Sequence, residues 1–555
     1  MKLQNGRQVY SDGEELEREA LLYAQKYPGK LAEEHIGELA SRNNVFSPRR
    51  QAILNWFPFK PGARILEVGA GMGAVTGLLL ERAVHVTAVE QSETRSAIIR
   101  ARYKGESHLD VVCADFVEFS EKYLSGGGKK FDYAVMVGVL EYAELFVNDP
   151  KPFHRMLSEI KNVLTDDGIL LFAIENRFGM KYWSGASEQH IGRPFVGITG
   201  YKEPKTPKTF SKRQLDALLR EVGFAQNRFY YPMPNYHAPS MIFTDEYAPK
   251  GVMLRELQYV YGHGSTLIFN ELDVYDDVID EGLFGFFANA FLVEASARVL
   301  PKEHVIFAQV KKFRSPEYRI CLTISSEKTV LKSPDGDRAI PHIRHIFDNY
   351  KKLKERGVPM VPCEYDGVNI VMPFCEDKKA DVALAECIKN NDFDGARKLV
   401  DLLKAAILKS SEVDENGMLY DVFWELGFYN SFYDGKQLTF FDQENIHHNL
   451  RPQTVLFRAI DTVFQIGGLP GHSMYEKLLK YAEAEGESDA HAAIEEPNLR
   501  ERLSETPYFI EDMTYEEALL ASRETRYEAL LASTSWRITA PLRAIMRKIR
   551  RADKS

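Results

Sequence analysis

The stretch ARILEVGAGMGAVTGLLL, residues 63–80, constrains the fold more than any other. An apolar run of strand length, Ile65 to Val68, breaks into Gly69, Gly71 and Gly73 and resumes with helical periodicity from Val75 to Leu80. A strand, a tight glycine turn and a helix in that order aim backbone N–H groups and the positive end of a helix at a polar or anionic ligand. The chain continues the pattern: HVTAVE (85–90), LDVVCAD (109–115), FDYAVMVGV (131–139) and GILLFAIE (168–175) read as strands separated by helix-length segments. Such alternation predicts an α/β fold, a parallel sheet with crossover helices.

Gly69-x-Gly71-x-x-Ala74 by itself also satisfies the relaxed dinucleotide pattern, so three acids decide its meaning. Glu67 precedes the first glycine, Glu90 ends the second strand and Asp115 the third, and in an open α/β sheet these strand ends meet at one crevice. Glu90, 17 residues past Gly73, can take two hydrogen bonds from a ribose diol, and Asp115 lies where an adenine amino group would donate. The array resembles motifs I to III of the class I S-adenosylmethionine-dependent methyltransferases. FDYAVMVGVLEY resembles their fourth motif, and the likeness covers about residues 60–240. It implies a Rossmann-like, mostly parallel seven-stranded sheet with S-adenosylmethionine as cofactor. It also implies a cofactor site of Glu67, Gly69, Ala70, Gly71, Gly73, Glu90, Asp115 and Phe116, with Glu67 near the methionine end.

Methyl transfer is an in-line displacement, so the enzyme positions a nucleophile and needs a general base only for a hydroxyl or a protonated amine. Candidates near the fourth and fifth strand ends are Glu141, Tyr142, Glu175 and His190, with His190 the candidate base. The polar insert 175–201 is the expected substrate lid.

The second half carries TVLKSP, GVNIVMPF and WELGFYNSFYDGKQLTFFDQE. Lys332 in a strand, Glu425 and Asn430 spaced E-x-x-x-x-N, and Asp442 a dozen residues on resemble the order found in protein-kinase-like phosphotransferases. The likeness implies an α+β kinase-like domain and a Mg-ATP site at these four residues. Two features depart from it: Glu425 stands where the family has Asp, and no G-x-G-x-x-G loop precedes Lys332. Whether this domain is active stays open.

With 555 residues the chain exceeds one core, and we divide it into a helical lead-in (1–60), a methyltransferase domain (61–245), a linker (246–279), the kinase-like domain (280–500) and a helical basic tail (501–555). A net charge of −10 argues against a nucleic-acid partner. Five scattered cysteines without C-x-x-C spacing indicate neither a metal site nor disulfides, which fits a cytoplasmic protein. In the tail, Thr514 and Glu517 form a capping box, and Leu542, Ile545, Met546 and Ile549 share a helical face beside Arg543, Arg547, Lys548, Arg550 and Arg551. Residues 536–551 are thus expected to touch an anionic membrane at its inner face. TSWRITAPLR resembles a C-terminal segment of bacterial glycosyltransferases and associated enzymes of surface-polysaccharide assembly. The resulting expectation is a methyltransferase acting on a sugar or sugar-linked phosphate, with a glycan or lipid-linked saccharide acceptor and glycosyltransferases as partners. Its rivals are a bifunctional methyltransferase/kinase that caps glycan chains and a non-catalytic scaffold that binds the cofactor.

Overall fold

The computed structural model describes residues 2–4, 7–9, 13–29, 46–250, 253–262, 264–466, 469, 471–483, 512–515 and 517–521. The basic tail segment 536–551 lies outside them. Five strands run parallel at the centre: β1 (Ala63–Val68), β2 (Ala83–Glu90), β3 (Leu109–Cys113), β4 (Phe131–Val137) and β5 (Leu164–Glu175). β6 (Gln226–Met233), β7 (Met241–Phe243) and β8 (Ala290–Ser296) follow, and β8 inserts antiparallel between β5 and β6. The order β3-β2-β1-β4-β5-β8-β6 is a mixed, mostly parallel sheet of the Rossmann-like methyltransferase type.

Continuous apolar strands are what a sheet covered on both faces requires. Successive residues of β5 divide accordingly: Leu170, Phe172 and Ile174 enter one core with Leu66 and Met136, while Ile169, Leu171 and Ala173 enter the opposite one with Ile65 and Val135.

The sheet does not end at β6. The second half of β6 pairs with β7, β7 with β9 (Val305–Val310), and the ladder continues through β10 (Ile320–Ser325), β11 (Thr329–Pro334) and β13 (Ile370–Pro373) to β12 (Glu364–Tyr365). Thirteen strands form one sheet among the described residues. A helix, Ile340–Glu355, follows β11, and a separate apolar core gathers the helices Ala380–Lys389, Phe393–Ser410, Pro452–Ile466 and Met474–Ala482.

Three expected boundaries need correction. The stretch GFFANAFLVEA, assigned to the second domain, supplies β8 of the methyltransferase sheet. The expected linker 246–279 buries Leu267, Tyr275 and Val278 in the core that holds β1 and β4, so its weak periodicity reflects irregular packing rather than a tether. The lead-in is not all helical: residues 2–4 and 7–9 pair as antiparallel strands before the helix Glu14–Lys26, and the sequence between them reads Asn-Gly, a hairpin signal. At the other end, Glu517 N–H donates to Thr514 Oγ1 and Glu517 Oε2 accepts from Thr514 N–H, so the capping box forms.

Candidate functional site

The C-terminal ends of β1 to β5 open into a cleft of about 1140 Å³. The turn after β1 forms its floor. Gly69 and Ala70 donate their N–H groups to the Val89 carbonyl, which ties the turn to β2. Gly69 takes φ 67° with Val139 packed where a Cβ would be, so a side chain there is excluded by both conformation and space. Gly71, at φ 58°, has no protein atom within 4 Å of a Cβ position, and its backbone is open to a ligand.

The acids of the turn are buried and already hydrogen-bonded. Thr76 O–H donates to Glu67 Oε2 at 2.6 Å, and burial pushes the Glu67 carboxyl up to about 8. Glu90 accepts Ser92 N–H on Oε1 at 2.8 Å and Gly71 N–H on Oε2 at 2.9 Å. Each oxygen keeps one acceptor position, so Glu90 both shapes the glycine turn and can still meet a diol. Asp115 caps the helix Phe116–Ser125, its Oδ1 accepting from Val117 and Glu118 N–H. Asp115 and Phe116 line the cleft, as do Glu67, Gly69, Ala70, Gly71 and Glu90, whereas Gly73 lies behind the turn, packed toward Tyr103.

The opposite wall comes from the loop after β4, from insert 175–201 and from the loop after β6. Here Glu141, fully buried, holds His190 Nε2 at 3.4 Å from Oε1, while Glu188 Oε1 meets His190 Nδ1 at 3.0 Å. Tyr201 O–H donates to Glu188 at 3.1 Å, and the Tyr142 ring meets the imidazole edge-on. Glu141 Oε2 has no hydrogen-bond partner. An unsatisfied carboxylate oxygen at the wall of a cleft is costly unless a ligand supplies an O–H or N–H.

Residues 66–170 match the family model described as a methyltransferase domain. The chain carries a methyltransferase domain. No curated protein matches the sequence. Among solved structures, a SAM-dependent methyltransferase from Archaeoglobus fulgidus is similar at 16% identity, covering 49% of this chain and 97% of that one, with a TM-score of 0.28. The N-methyltransferase NodS from Bradyrhizobium japonicum, solved with S-adenosyl-L-homocysteine, is 20% identical over 25% of this chain and 66% of its own, at TM-score 0.21. An arsenic(III) S-adenosylmethionine methyltransferase from Chlamydomonas reinhardtii is 17% identical over 45% and 68%, at TM-score 0.24. At such scores they define neither fold nor acceptor.

Two of the expected catalytic residues of the methyltransferase domain need correction. His190 does not suit a general base: burial opposes its charge, but the Glu141 and Glu188 carboxylates outweigh burial and push the imidazole up to about 10. Both ring nitrogens face carboxylates, which favours the cationic form, and that form has no lone pair to offer. Glu175 lies beneath the cleft rather than in its lining, fully buried against Lys181 Nζ at 2.8 Å and the Tyr182 hydroxyl at 3.2 Å. Sequence reasoning missed Glu188, Arg50 and His237, which come from distant segments of the chain, and missed Lys312 and Phe313 of the second region, which also line the cleft.

Lys332, Asn430 and Asp442 converge in the second region. Lys332 Nζ forms a buried ion pair with Asp442, and Asn430 Nδ2 donates to the Asp442 carbonyl at 3.2 Å. Glu425 Oε2 accepts Asn445 N–H at 2.8 Å, and burial with the nearby Glu444 charge pushes its carboxyl up to about 8. Glu444 binds Arg314 at 2.6 Å, His342 at 3.3 Å and Lys311 at 3.4 Å. The space beside Lys332 and Asp442 is about 20 Å³, room for a water molecule but not for a nucleotide. Among the described residues no group of three His, Cys, Asp or Glu side chains is arranged to hold a metal ion. No helix among them is long and apolar enough to cross a membrane.

Proposed function

We propose that the chain transfers a methyl group from S-adenosylmethionine to an oxygen of a saccharide acceptor, a sugar hydroxyl or sugar-linked phosphate, in bacterial surface-polysaccharide assembly. The observation that carries this reading is one cleft with the glycine turn and its acids on one wall and Glu141, with an unpartnered oxygen, on the other. The turn fits the cofactor because Gly71 leaves its backbone open, Glu90 retains acceptor capacity and Glu67 faces the same space. S-adenosylmethionine, when bound, supplies an electrophilic methyl group and departs as the thioether.

The chain's own residues do the rest. Glu141 Oε2 accepts the hydrogen bond of the acceptor hydroxyl, which orients its oxygen, and takes the proton as the new ether forms. His190, set between Glu188 and Glu141, fixes the Glu141 rotamer. A cleft of about 1140 Å³ is larger than a usual small-ligand site and suits a cofactor together with a saccharide. The saccharide class is supported by TSWRITAPLR, and the basic segment 536–551 supports work at the inner membrane surface. Incubation with the cofactor and glycan acceptors should give S-adenosylhomocysteine and a methylated glycan. Cofactor binding without turnover on any glycan would leave a scaffold instead. Deleting 536–555 should release the protein from anionic vesicles, and retained association would refute the membrane reading.

We read the second region as kinase-like in fold and as an acceptor-binding or regulatory module in use. The strand order β9-β10-β11-β13-β12 with a helix after β11, and the Lys332, Asn430 and Asp442 grouping, support the fold. Glu425 and the closed space beside Asp442 speak against phosphoryl transfer. Titrating Mg-ATP into protein saturated with S-adenosylhomocysteine checks this. Saturable binding abolished in Asp442→Asn would restore the bifunctional reading.

A further inference from the structure

We infer that the acceptor end of the cleft seats an anionic substituent, a phosphate or a carboxylate, between Arg50, Lys181 and His237, separate from the oxygen methylated at Glu141. The inference deepens the methyltransferase reading and depends on it for its meaning. Arg50 comes from the short helix Pro48–Ile53, Lys181 from the insert and His237 from the loop after β6, and all three line the one cleft. The Arg50 guanidinium contacts His237 Nδ1, the Gln189 amide meets Nε2 at 2.5 Å, and the Tyr236 ring lies 4.1 Å from the imidazole. Asn235 Oδ1 accepts the N–H groups of His237 and Ala238, which fixes the loop.

Three cations, Arg50, Lys181 and His190, act on His237 at this seat. Burial, and then Arg50, Lys181 and His190, hold His237 well below the ordinary histidine value, so a neutral imidazole sits among three cations. Carboxylates share part of this charge: Glu141 Oε1 and Glu188 pair with His190, and Glu175 Oε2 with Lys181, while Arg50 contacts the uncharged His237. Lys312 of the second region enters the same cleft, its Nζ 3.4 Å from Gln51 Oε1 and 2.8 Å from Asp335. A guanidinium, ammonium groups and an amide converging on a cleft match a phosphate or carboxylate far better than a neutral pyranose. Tyr236 O–H lies 3.5 Å from Glu141 Oε1, and so bridges the seat and the site of methyl transfer. The acceptor is thereby read at two points, an anionic group at one end and a hydroxyl at the other.

The experiment uses the whole chain saturated with S-adenosylhomocysteine and titrates inorganic phosphate, glucose 6-phosphate, glucuronate and glucose. The expected result is saturable binding of an anion at least tenfold tighter than glucose, weakened tenfold or more by Arg50→Gln and by Lys181→Gln with S-adenosylhomocysteine affinity unchanged. A preference for glucose 6-phosphate over glucuronate assigns a phosphate, and the reverse assigns a carboxylate. Equal affinity for glucose and both anions, or anion binding that survives both substitutions, overturns the inference. If either variant fails to fold, ring NMR of the wild-type protein decides: phosphate should move the His237 resonances and raise its titration, and unmoved resonances overturn the proposal. Failure of S-adenosylhomocysteine to bind while phosphate still seats would refute the methyltransferase reading alone.

Discussion

In the methyltransferase cleft, Glu90 keeps acceptor capacity after binding two backbone amides, and Glu141 keeps an oxygen with no partner at all. Around Asp442 the same kinds of groups spend their capacity on each other: Lys332 on Asp442, Asn430 on its carbonyl, Glu425 on Asn445, and Glu444 on Lys311, Arg314 and His342. One arrangement leaves about 1140 Å³ of space and the other about 20 Å³. Buried charge is tolerated in both, and each keeps an unpartnered oxygen, Glu141 Oε2 in the first and Gln443 Oε1 in the second, but of the two the first alone has room there for a ligand larger than water.

The comparison is broken most directly at Glu141. Glu141→Gln should lower kcat at least about 100-fold, the low end for loss of a positioned base, with S-adenosylhomocysteine affinity unchanged. Undiminished turnover would remove Glu141 from the chemistry. Next in size, Glu90→Ala should weaken cofactor binding by about 1–3 kcal/mol in calorimetry, because it frees the Gly71 and Ser92 amides as well as removing an acceptor. A smaller effect is linked to pH. Glu67 is raised to about 8 in the free protein, and the cofactor's cation favours its ionised form. Binding below that pH should release a proton, and affinity should rise with pH by at most about tenfold per unit until the carboxyl is ionised. Calorimetry in buffers of different ionisation enthalpy reads the proton directly.

His190 sharpens the contrast through stability. Its folded value of about 10 exceeds the ordinary 6.5, so the stabilisation it contributes is complete below pH 6.5 and is lost as pH rises through 10. The groups facing it are Glu141, Glu188, His237 and the Tyr142 ring. Thermal denaturation from pH 6 to 10.5 should show a decline that His190→Asn flattens. The smallest effect is expected from Asp442→Asn, which should cost about 1–3 kcal/mol of stability by stripping Lys332 of its counter-ion while leaving cofactor affinity unchanged. A shifted cofactor affinity would mean that the two regions communicate.

What was legible in the sequence is what local chemistry determines. β1, its glycine turn and the ends of β2 and β3 are each specified within a dozen residues, and the acids there line the cleft. Their second duties were not legible: Glu90 as an amide acceptor and Asp115 as a helix cap depend on where neighbouring backbone groups lie. β8 was placed in the wrong region because its pairing with β5 spans more than a hundred residues and leaves no periodic trace. His190, the candidate base, lines the cleft, but its protonation depends on Glu141, 49 positions earlier, and on Glu188. Arg50 and His237 carry no motif, since a positive seat built from three distant segments exists only after folding.

The insertion of β8 between β5 and β6 bears on how the protein is made. Until residue 296 has left the ribosome, two long strands rich in Leu, Phe and Tyr lack the partner between them. A nascent chain paused at 245 therefore presents open sheet edges, the form most prone to join a neighbour's. A fragment for expression should keep the segment before β1, whose Arg50 lines the cleft, and end only beyond β8, because the sheet behind the cleft is closed by a segment translated long after the glycine turn.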